Sequence, residues 1–306
     1  MPDTLKKLLI KQHYKLVGKH SAVKTCHWLR KSLRDEGVCY KQTFYPDNVK
    51  SHTCLQMTPS ISCCNLCRYC WRAYPKSVAP GWNEMAFKGW DEPKEIIAGA
   101  IEAQRQLLTG FKGWDGVNKK KWREAQKPGS AALSLTGEST LYPGLSGLIE
   151  GFHGKGMKTF LVTNGQFPER LEKITEPSQL YISLDAPDKK IYKELDRPRL
   201  PDFWERLNKS LELMNSLSCR RVIRLTMVKG WNMTKAKEYA RLIEKANPDF
   251  LEIKGYVHVG ASQKRLPRDS MPFHNVVKEF AKDVERESGY RHKGEQKESR
   301  VVLLEK

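Results

Sequence analysis

Ten consecutive residues, Ser62 to Trp71, read S-C-C-N-L-C-R-Y-C-W and set Cys63, Cys67 and Cys70 at C-x3-C-x2-C spacing. Three thiolates offered from one short loop leave a metal site one protein ligand short. That suits a 4Fe-4S cubane with one open iron, able to chelate a small molecule through amino and carboxylate groups, whereas most clusters that only carry electrons use four cysteines. A zinc knuckle or a group of buried reduced thiols is the alternative, because Cys pairs two to four residues apart are also zinc spacings. Zinc sites complete four ligands, however, and no His follows the run directly. Cys64 is expected to point away from the cluster and has no assigned role.

The remaining cysteines extend the same theme. Cys26, Cys39 and Cys54 stand alone ahead of the run, too widely spaced for a knuckle but suited to a second site assembled by tertiary folding. A zinc completed by His27 or His52, or plain core cysteines, would also account for them. Lys41 and Lys50 lie in this segment, and a lysine beside a metal or in an apolar pocket can serve as a Schiff-base amine. Eight cysteines without an export signal argue for metal rather than disulfides, since the cytosol keeps thiols reduced. No apolar stretch approaches a membrane span, so the chain is expected to be soluble and cytoplasmic.

Charge narrows the partners. Lys and Arg number 54 against 35 Asp and Glu, a formal net charge of +19. So basic a balance points to a polyanion, nucleic acid first. The segment 110–129 concentrates the signal: Trp114 and Trp122 flank Lys119, Lys120 and Lys121, with Arg123 beyond. Cations that neutralise phosphates beside aromatic faces that stack on bases suit a folded RNA; a charged loop with one Trp tucked onto the core is the plainer alternative. A second basic run, Tyr290 to Lys293, suggests phosphate contact only.

From Ser51 onward strands and helices alternate. Strands are expected at 54–58, 131–136, 159–163, 180–184, 222–228 and 250–253, with helices at 93–108, 144–153, 169–174, 203–217, 234–246 and 272–286. The first 25 residues read as a basic helical lead, and 300–304 as an edge strand. Six such units give an α/β fold, an incomplete (βα)6 parallel TIM-like barrel open on one side. Residues 1–50 form an N-terminal extension with part of the second cysteine site, 51–270 the barrel with its insertion at 110–129, and 271–306 a C-terminal helix and basic tail. Active groups of parallel barrels gather after the strands. There lie the cluster loop, Thr136-Gly137-Glu138-Ser139, Thr163-Asn164-Gly165 and Ser183-Leu184-Asp185.

In this order behind C-x3-C-x2-C, with Tyr69 before the last Cys, these motifs resemble the radical S-adenosylmethionine (SAM) superfamily. The resemblance implies that SAM chelates the open iron and that an electron splits its sulfonium to a 5′-deoxyadenosyl radical. Gly137-Glu138 is similar to the family's G-G-E motif with Thr136 in place of the first Gly; Glu138 would take the SAM amino group, Asn164 and Ser183 its ribose or carboxylate, and Asp185 either does the same or serves as a strand-end cap. Residues 26–266 further resemble the archaeal tRNA 4-demethylwyosine synthase family, through the three leading cysteines, the W-R after Cys70, T-G-E-S, T-N-G, S-L-D-A-P and L-E-I-K-G-Y. That implies a radical condensation of N1-methylguanosine-37 of tRNA-Phe with a two-carbon unit of pyruvate in wybutosine biosynthesis. It also implies a second 4Fe-4S cluster on Cys26, Cys39 and Cys54 and an imine on Lys41 or Lys50, with Lys41 favoured. No flavodoxin domain is expected, so an external flavodoxin- or ferredoxin-like donor is implied, with a monomer as the working form. A radical-SAM tRNA methylthiotransferase and a non-enzymatic zinc- and RNA-binding protein are the competing readings.

Overall fold

In the computed structural model, which describes residues 1–45, 47, 49–79 and 81–306, the chain divides into two units. The first comprises residues 1–63, 75–162 and 174–178, and the second 64–74, 163–173 and 179–306.

The first unit opens with helix α1 (Asp3–Lys11), which seats Leu5 and Leu9 against Tyr14, Ala22, Ile61 and Leu135. The helical lead expected over the first 25 residues stops here, because His13 turns left-handed at φ 63°. Strands β1 (Lys15–Val17) and β2 (Ser21–Val23) then form an antiparallel hairpin. Its turn needs Gly18, at φ 55°: a Cβ there would meet the Asp91 carboxylate at 2.2 Å, and that carboxylate accepts the Lys19 N–H at 2.6 Å. Short helices α2 (His27–Leu33) and α3 (Tyr40–Phe44) follow, then β3 (Cys54–Thr58) and α4 (Pro75–Val78). Helix α5 (Pro93–Thr109) starts where its sequence directs: Glu92 and Glu95 form a capping box and Pro93 occupies the first turn. It buries Ile96, Ile97, Ala100 and Leu108. Helix α6 (Lys119–Ala125), β4 (Ser130–Leu133), α7 (Leu145–His153) and β5 (Lys158–Thr163) complete the unit. The strand order is β1-β2-β3-β4-β5, with β3, β4 and β5 parallel.

Buried His20 holds this unit's hairpin to the body. Its Nδ1–H donates to the Pro59 carbonyl at 2.6 Å, and its Nε2 accepts the Asp91 N–H at 2.9 Å. The ring must therefore be neutral, and burial lowers its pKa from 6.5 despite the nearby Asp91. A lowered folded value means that the unfolded chain takes up the proton first, so the contribution is whole above about pH 6.5 and declines as pH falls below it. The urea midpoint of the parent should drop over that window more than that of His20→Gln; equal slopes would contradict the assignment.

The second unit begins with α8 (Pro168–Leu171), β6 (Gln179–Ser183), α9 (Lys189–Leu195) and α10 (Phe203–Met214). It continues through β7 (Arg220–Met227), α11 (Ala236–Ala246), β8 (Phe250–Gly255), α12 (His274–Ser288), β9 (Arg291–Gln296) and β10 (Val301–Glu305). Its order is β6-β7-β8-β10-β9, with β6, β7 and β8 parallel and the last two antiparallel. The expected edge strand is thus an interior one, as the burial of all four of Val301 to Leu304 requires. The edge belongs to β9, which carries Arg291, His292 and Lys293 of the basic run together with Glu295, and charged side chains are what keep an edge from pairing with another chain. Among the described residues no helix is long and apolar enough to cross a membrane.

Candidate active site

The first unit gathers Cys26, Cys39 and Cys54, each half-buried, from three separate segments. Cys26 caps α2, its Sγ accepting the Leu29 N–H at 3.2 Å, and Cys39 immediately precedes α3. Cys54 opens β3. Ser51 Oγ accepts the Cys39 N–H at 2.8 Å, and Ser32 meets His52 at 3.2 Å, which draws α2 and the 39–54 segment together. Burial, with Cys54 and Cys39 close by, pushes the Cys26 thiol up to about 12. Three sulfurs crowded into low dielectric favour a soft cationic centre, which would take them as thiolates. His52 is not positioned as a fourth ligand: its other nitrogen meets Glu124 at 2.8 Å, so both ring nitrogens are engaged. Among the described residues no three His, Cys, Asp or Glu close tightly enough on one point to hold a single metal ion. A cubane places each thiolate on a different iron and needs no such convergence.

The two lysines separate clearly. Lys41 lies over the Phe160 ring at 4.7 Å and close enough to Cys54 to pull that thiol's pKa down against its burial. Lys50 instead pairs with Glu124 at 3.0 Å, with about half its side chain exposed.

Around the C-x3-C-x2-C run, Cys63 belongs to the first unit, where its N–H donates to the Glu84 carboxylate at 3.1 Å. Cys67 and Cys70 belong to the second, whose part of the loop is strapped at many points. Leu66 and Arg68 donate backbone N–H groups to the carbonyls of Asp196 and Leu195 at 3.1 and 2.9 Å. Tyr74 OH donates to the Cys67 carbonyl at 2.7 Å, and Arg265 donates to the carbonyls of Arg68, Cys70 and Arg72. Tyr69 OH lies 2.6 Å from carboxylate oxygens of both Asp185 and Asp196. Buried Cys64 points elsewhere: its sulfur accepts from Asn164 Nδ2 at 3.2 Å.

The loop after β4 offers a cradle within the first unit. Gly137 sits at φ 71°, and a Cβ there would fall 2.0 Å from the Ser60 carbonyl oxygen. The Glu138 N–H donates to the Ser62 carbonyl at 2.7 Å, and its buried carboxylate accepts from the Thr140 N–H and hydroxyl at 3.0 and 2.7 Å. Beside it the buried Thr136 hydroxyl has no hydrogen-bond partner among the described residues. An orphaned hydroxyl next to a backbone cradle fits a polar ligand. Gly137→Ala should therefore cost about 1–3 kcal/mol of stability and weaken SAM binding; an unchanged urea midpoint would show the cradle to be slack.

In the second unit Asn164 Oδ1 accepts the Gln166 N–H at 3.1 Å, and Ser183 ends β6 half-buried. Asp185 is spoken for: besides Tyr69 its carboxylate accepts the Thr226 N–H at 2.6 Å, and burial raises its pKa. It acts as the strand-end cap that fixes the cluster loop. Arg265, Tyr74, Glu84 and Asp196 went unmarked in the sequence because their partners lie far along the chain; a lone Arg or Asp gives no local signal of what it will clasp.

Within the insertion, Trp122 packs against Leu29, Leu33, Leu108 and Ala125 and donates its Nε1–H to the Leu108 carbonyl at 2.9 Å. Lys121 pairs with Asp35 at 2.5 Å, and Lys119 donates to the Lys112 carbonyl at 2.6 Å. Trp114 remains 48% exposed against Phe111, and Lys120 and Arg123 face outward.

Comparison with known proteins bears on these sites together. Residues 57–243 match the family model of the radical SAM superfamily, and 245–306 match the one described as wyosine base formation. The chain is 48% identical to the S-adenosyl-L-methionine-dependent tRNA 4-demethylwyosine synthase of Pyrococcus abyssi and 47% to that of Pyrococcus horikoshii, over 99% of its own length and 89% of theirs. It is similar to a solved structure of TYW1 with a lysine-pyruvate adduct bound, at 36% identity and a TM-score of 0.89, covering 100% of this chain and 96% of that one. With a radical SAM match over more than half its length and near-full-length relatives at this identity, the chain belongs to the S-adenosyl-L-methionine-dependent tRNA 4-demethylwyosine synthases, a family of radical SAM enzymes.

Proposed function

We propose that this chain condenses the N1-methyl carbon of N1-methylguanosine-37 in tRNA-Phe with two carbons of pyruvate, building the tricyclic base 4-demethylwyosine in wybutosine biosynthesis. The observation that carries the reading is the grouping of Cys26, Cys39 and Cys54 in one unit with Lys41 beside Cys54. Family membership weighs against the methylthiotransferase and the non-enzymatic alternatives. The fold is taken as an incomplete (βα)6 barrel over 51–270, with an N-terminal cysteine-bearing extension at 1–50 and a C-terminal helix and tail at 271–306.

Cys63, Cys67 and Cys70 are assigned to a 4Fe-4S cluster, and Cys26, Cys39 and Cys54 to a second. When bound, the first cluster and SAM supply a hydrogen-abstracting carbon radical from one external electron. Thr136, Gly137 and Glu138 would present a hydroxyl, a backbone cradle and a carboxylate to SAM, with Asn164 and Ser183 adding polar contacts; Asp185 acts through Tyr69. Lys41 is the imine-forming lysine, since it stands by the second cysteine set while Lys50 is held by Glu124. Its amine adds to the pyruvate ketone and water leaves as C=N forms, which holds the carbonyl carbon where the methyl-derived carbon attacks. The new carbon–carbon bond replaces that to the carboxyl carbon, which leaves as a one-electron-reduced carbon dioxide unit carrying the odd electron, and ring closure by the guanine amino group at the imine carbon expels the Lys41 amine, so the ketone oxygen leaves once, as the water of imine formation. A relative that holds a lysine-pyruvate adduct supports this role.

Trp114, Lys120 and Arg123, with Lys119, Lys121 and Trp122 shaping the surface beneath them, are assigned to tRNA contact. The electron comes from a separate flavodoxin- or ferredoxin-like donor in the cytoplasm, and the working form is a monomer. Anaerobic incubation with SAM, pyruvate, dithionite and tRNA, followed by nucleoside mass spectrometry, tests the reading. The tricyclic base should appear with N1-methylated tRNA and not with unmethylated tRNA; its absence with both would refute the assignment.

A further inference from the structure

The second unit exposes an apolar patch that neither cysteine set nor the insertion uses. Trp71, directly after Cys70, is 42% exposed, and Val257 and Val259 are 41% and 40% exposed. Single exposed apolar residues are ordinary, but grouped ones mark a contact surface. These are grouped by backbone ties. The Trp71 carbonyl accepts the Ala261 N–H at 2.9 Å, and Gly260, at φ 59°, comes so close that a Cβ would stand 2.6 Å from that carbonyl. The 257–266 loop is itself braced: Val259 N–H donates to the Val257 carbonyl at 2.9 Å, Ser262 Oγ to the Val259 carbonyl at 2.6 Å, and His258 Nε2 meets the Leu266 carbonyl at 3.0 Å. An indole held on a rigid base, one residue from Cys70, is not a loose surface side chain.

Basic side chains predominate around it, although the exposed Asp269 directly follows Arg268. Cys64 to Arg72 carries Arg68 and Arg72 without an acid, and Val257 to Arg268 carries Lys264, Arg265 and Arg268 without an acid. Arg265 is committed to loop carbonyls, which leaves exposed Lys264 and Arg268 for a partner.

We propose that Trp71, with Val257 and Val259, is a stacking platform for an unpaired base of the RNA substrate, and that Lys264 and Arg268 take the flanking phosphates. The proposal rests on the reading of an RNA substrate given above. Stacking on an aromatic face and phosphate neutralisation are the two elements of single-strand recognition. A docked electron-donor protein would also meet a basic, apolar surface, but electron delivery is common to radical SAM enzymes. Trp71 falls within the 57–243 match to the general superfamily, whereas the 257–268 loop that carries Val257, Val259, Lys264 and Arg268 lies in the segment matched as wyosine base formation.

The test uses reconstituted protein and N1-methylated tRNA, with binding measured apart from chemistry. Trp71→Ala should raise the Kd about ten-fold or more, Trp71→Phe should restore most of the loss, and Lys264→Gln with Arg268→Gln should lower the salt slope of binding by about two. Iron content and the thermal midpoint of each variant separate these losses from misfolding; should Trp71→Ala fail to fold, Trp71→Phe and the double variant decide. Unchanged tRNA affinity in Trp71→Ala and in the double variant would overturn the proposal. So would a loss of turnover with a flavodoxin-like donor that dithionite repairs, since it would make the patch a donor site. A parent protein that binds tRNA through Trp71 but makes no tricyclic base would leave the platform standing and refute the reaction instead.

Discussion

Cys67→Ala protein, reconstituted without oxygen and reduced with dithionite, is expected to release no deoxyadenosine from SAM above background. The thiolate it lacks is one of the three that the C-x3-C-x2-C run supplies, and the neighbouring Cys64 is turned to Asn164. Its iron should fall from about eight atoms per chain to about four. Cys54→Ala should lose a similar amount of iron yet still cleave SAM, because its cysteine set lies in a different part of the sequence and is proposed to serve pyruvate instead. Deoxyadenosine release by Cys67→Ala at the parent rate would remove the basis for assigning that loop to the cluster that bears SAM.

Lys41→Ala should lower formation of the tricyclic base by more than about a hundredfold and abolish pyruvate trapped on the protein by borohydride. Lys50→Ala should retain both, because Lys50 is occupied by Glu124. Removing Lys41 also removes a cation from above Phe160 and from beside Cys54, so alanine alone would confound chemistry with electrostatics. Lys41→Arg keeps that charge but cannot form an imine at neutral pH; it should be as inactive as alanine in trapping while holding its iron. Trapping that persists in Lys41→Arg and vanishes in Lys50→Ala would reverse the assignment.

The parallel strands and the helices between them could be read in the sequence because each is a short apolar run or a 3.6-residue repeat with local punctuation. The first of the expected strands runs over 54–58 as β3, and α5 announces itself by Glu92, Pro93 and Glu95. The chain's ends were harder. Tyr14 and Leu16 continue the spacing of Leu5, Leu8 and Leu9, but the left-handed turn at His13 moves them into a hairpin. The run Val301 to Leu304 is apolar on both faces, a mark of an interior strand, and its true edge neighbour was hidden by its charge. At the site, the cysteine run and the glycine cradle have fixed local spacing. The clasp of Arg265 on Cys70 and of Asp196 on Tyr69 spans more than a hundred residues and appears only when the strands are laid side by side.

The most direct measurement follows the carbons of pyruvate into the base. Pyruvate labelled at its carbonyl and methyl carbons should give a tricyclic nucleoside that contains both labels, while pyruvate labelled only at the carboxyl carbon should give one that contains none. An unlabelled product from the first substrate, or a labelled product from the second, would contradict the condensation assigned to this chain.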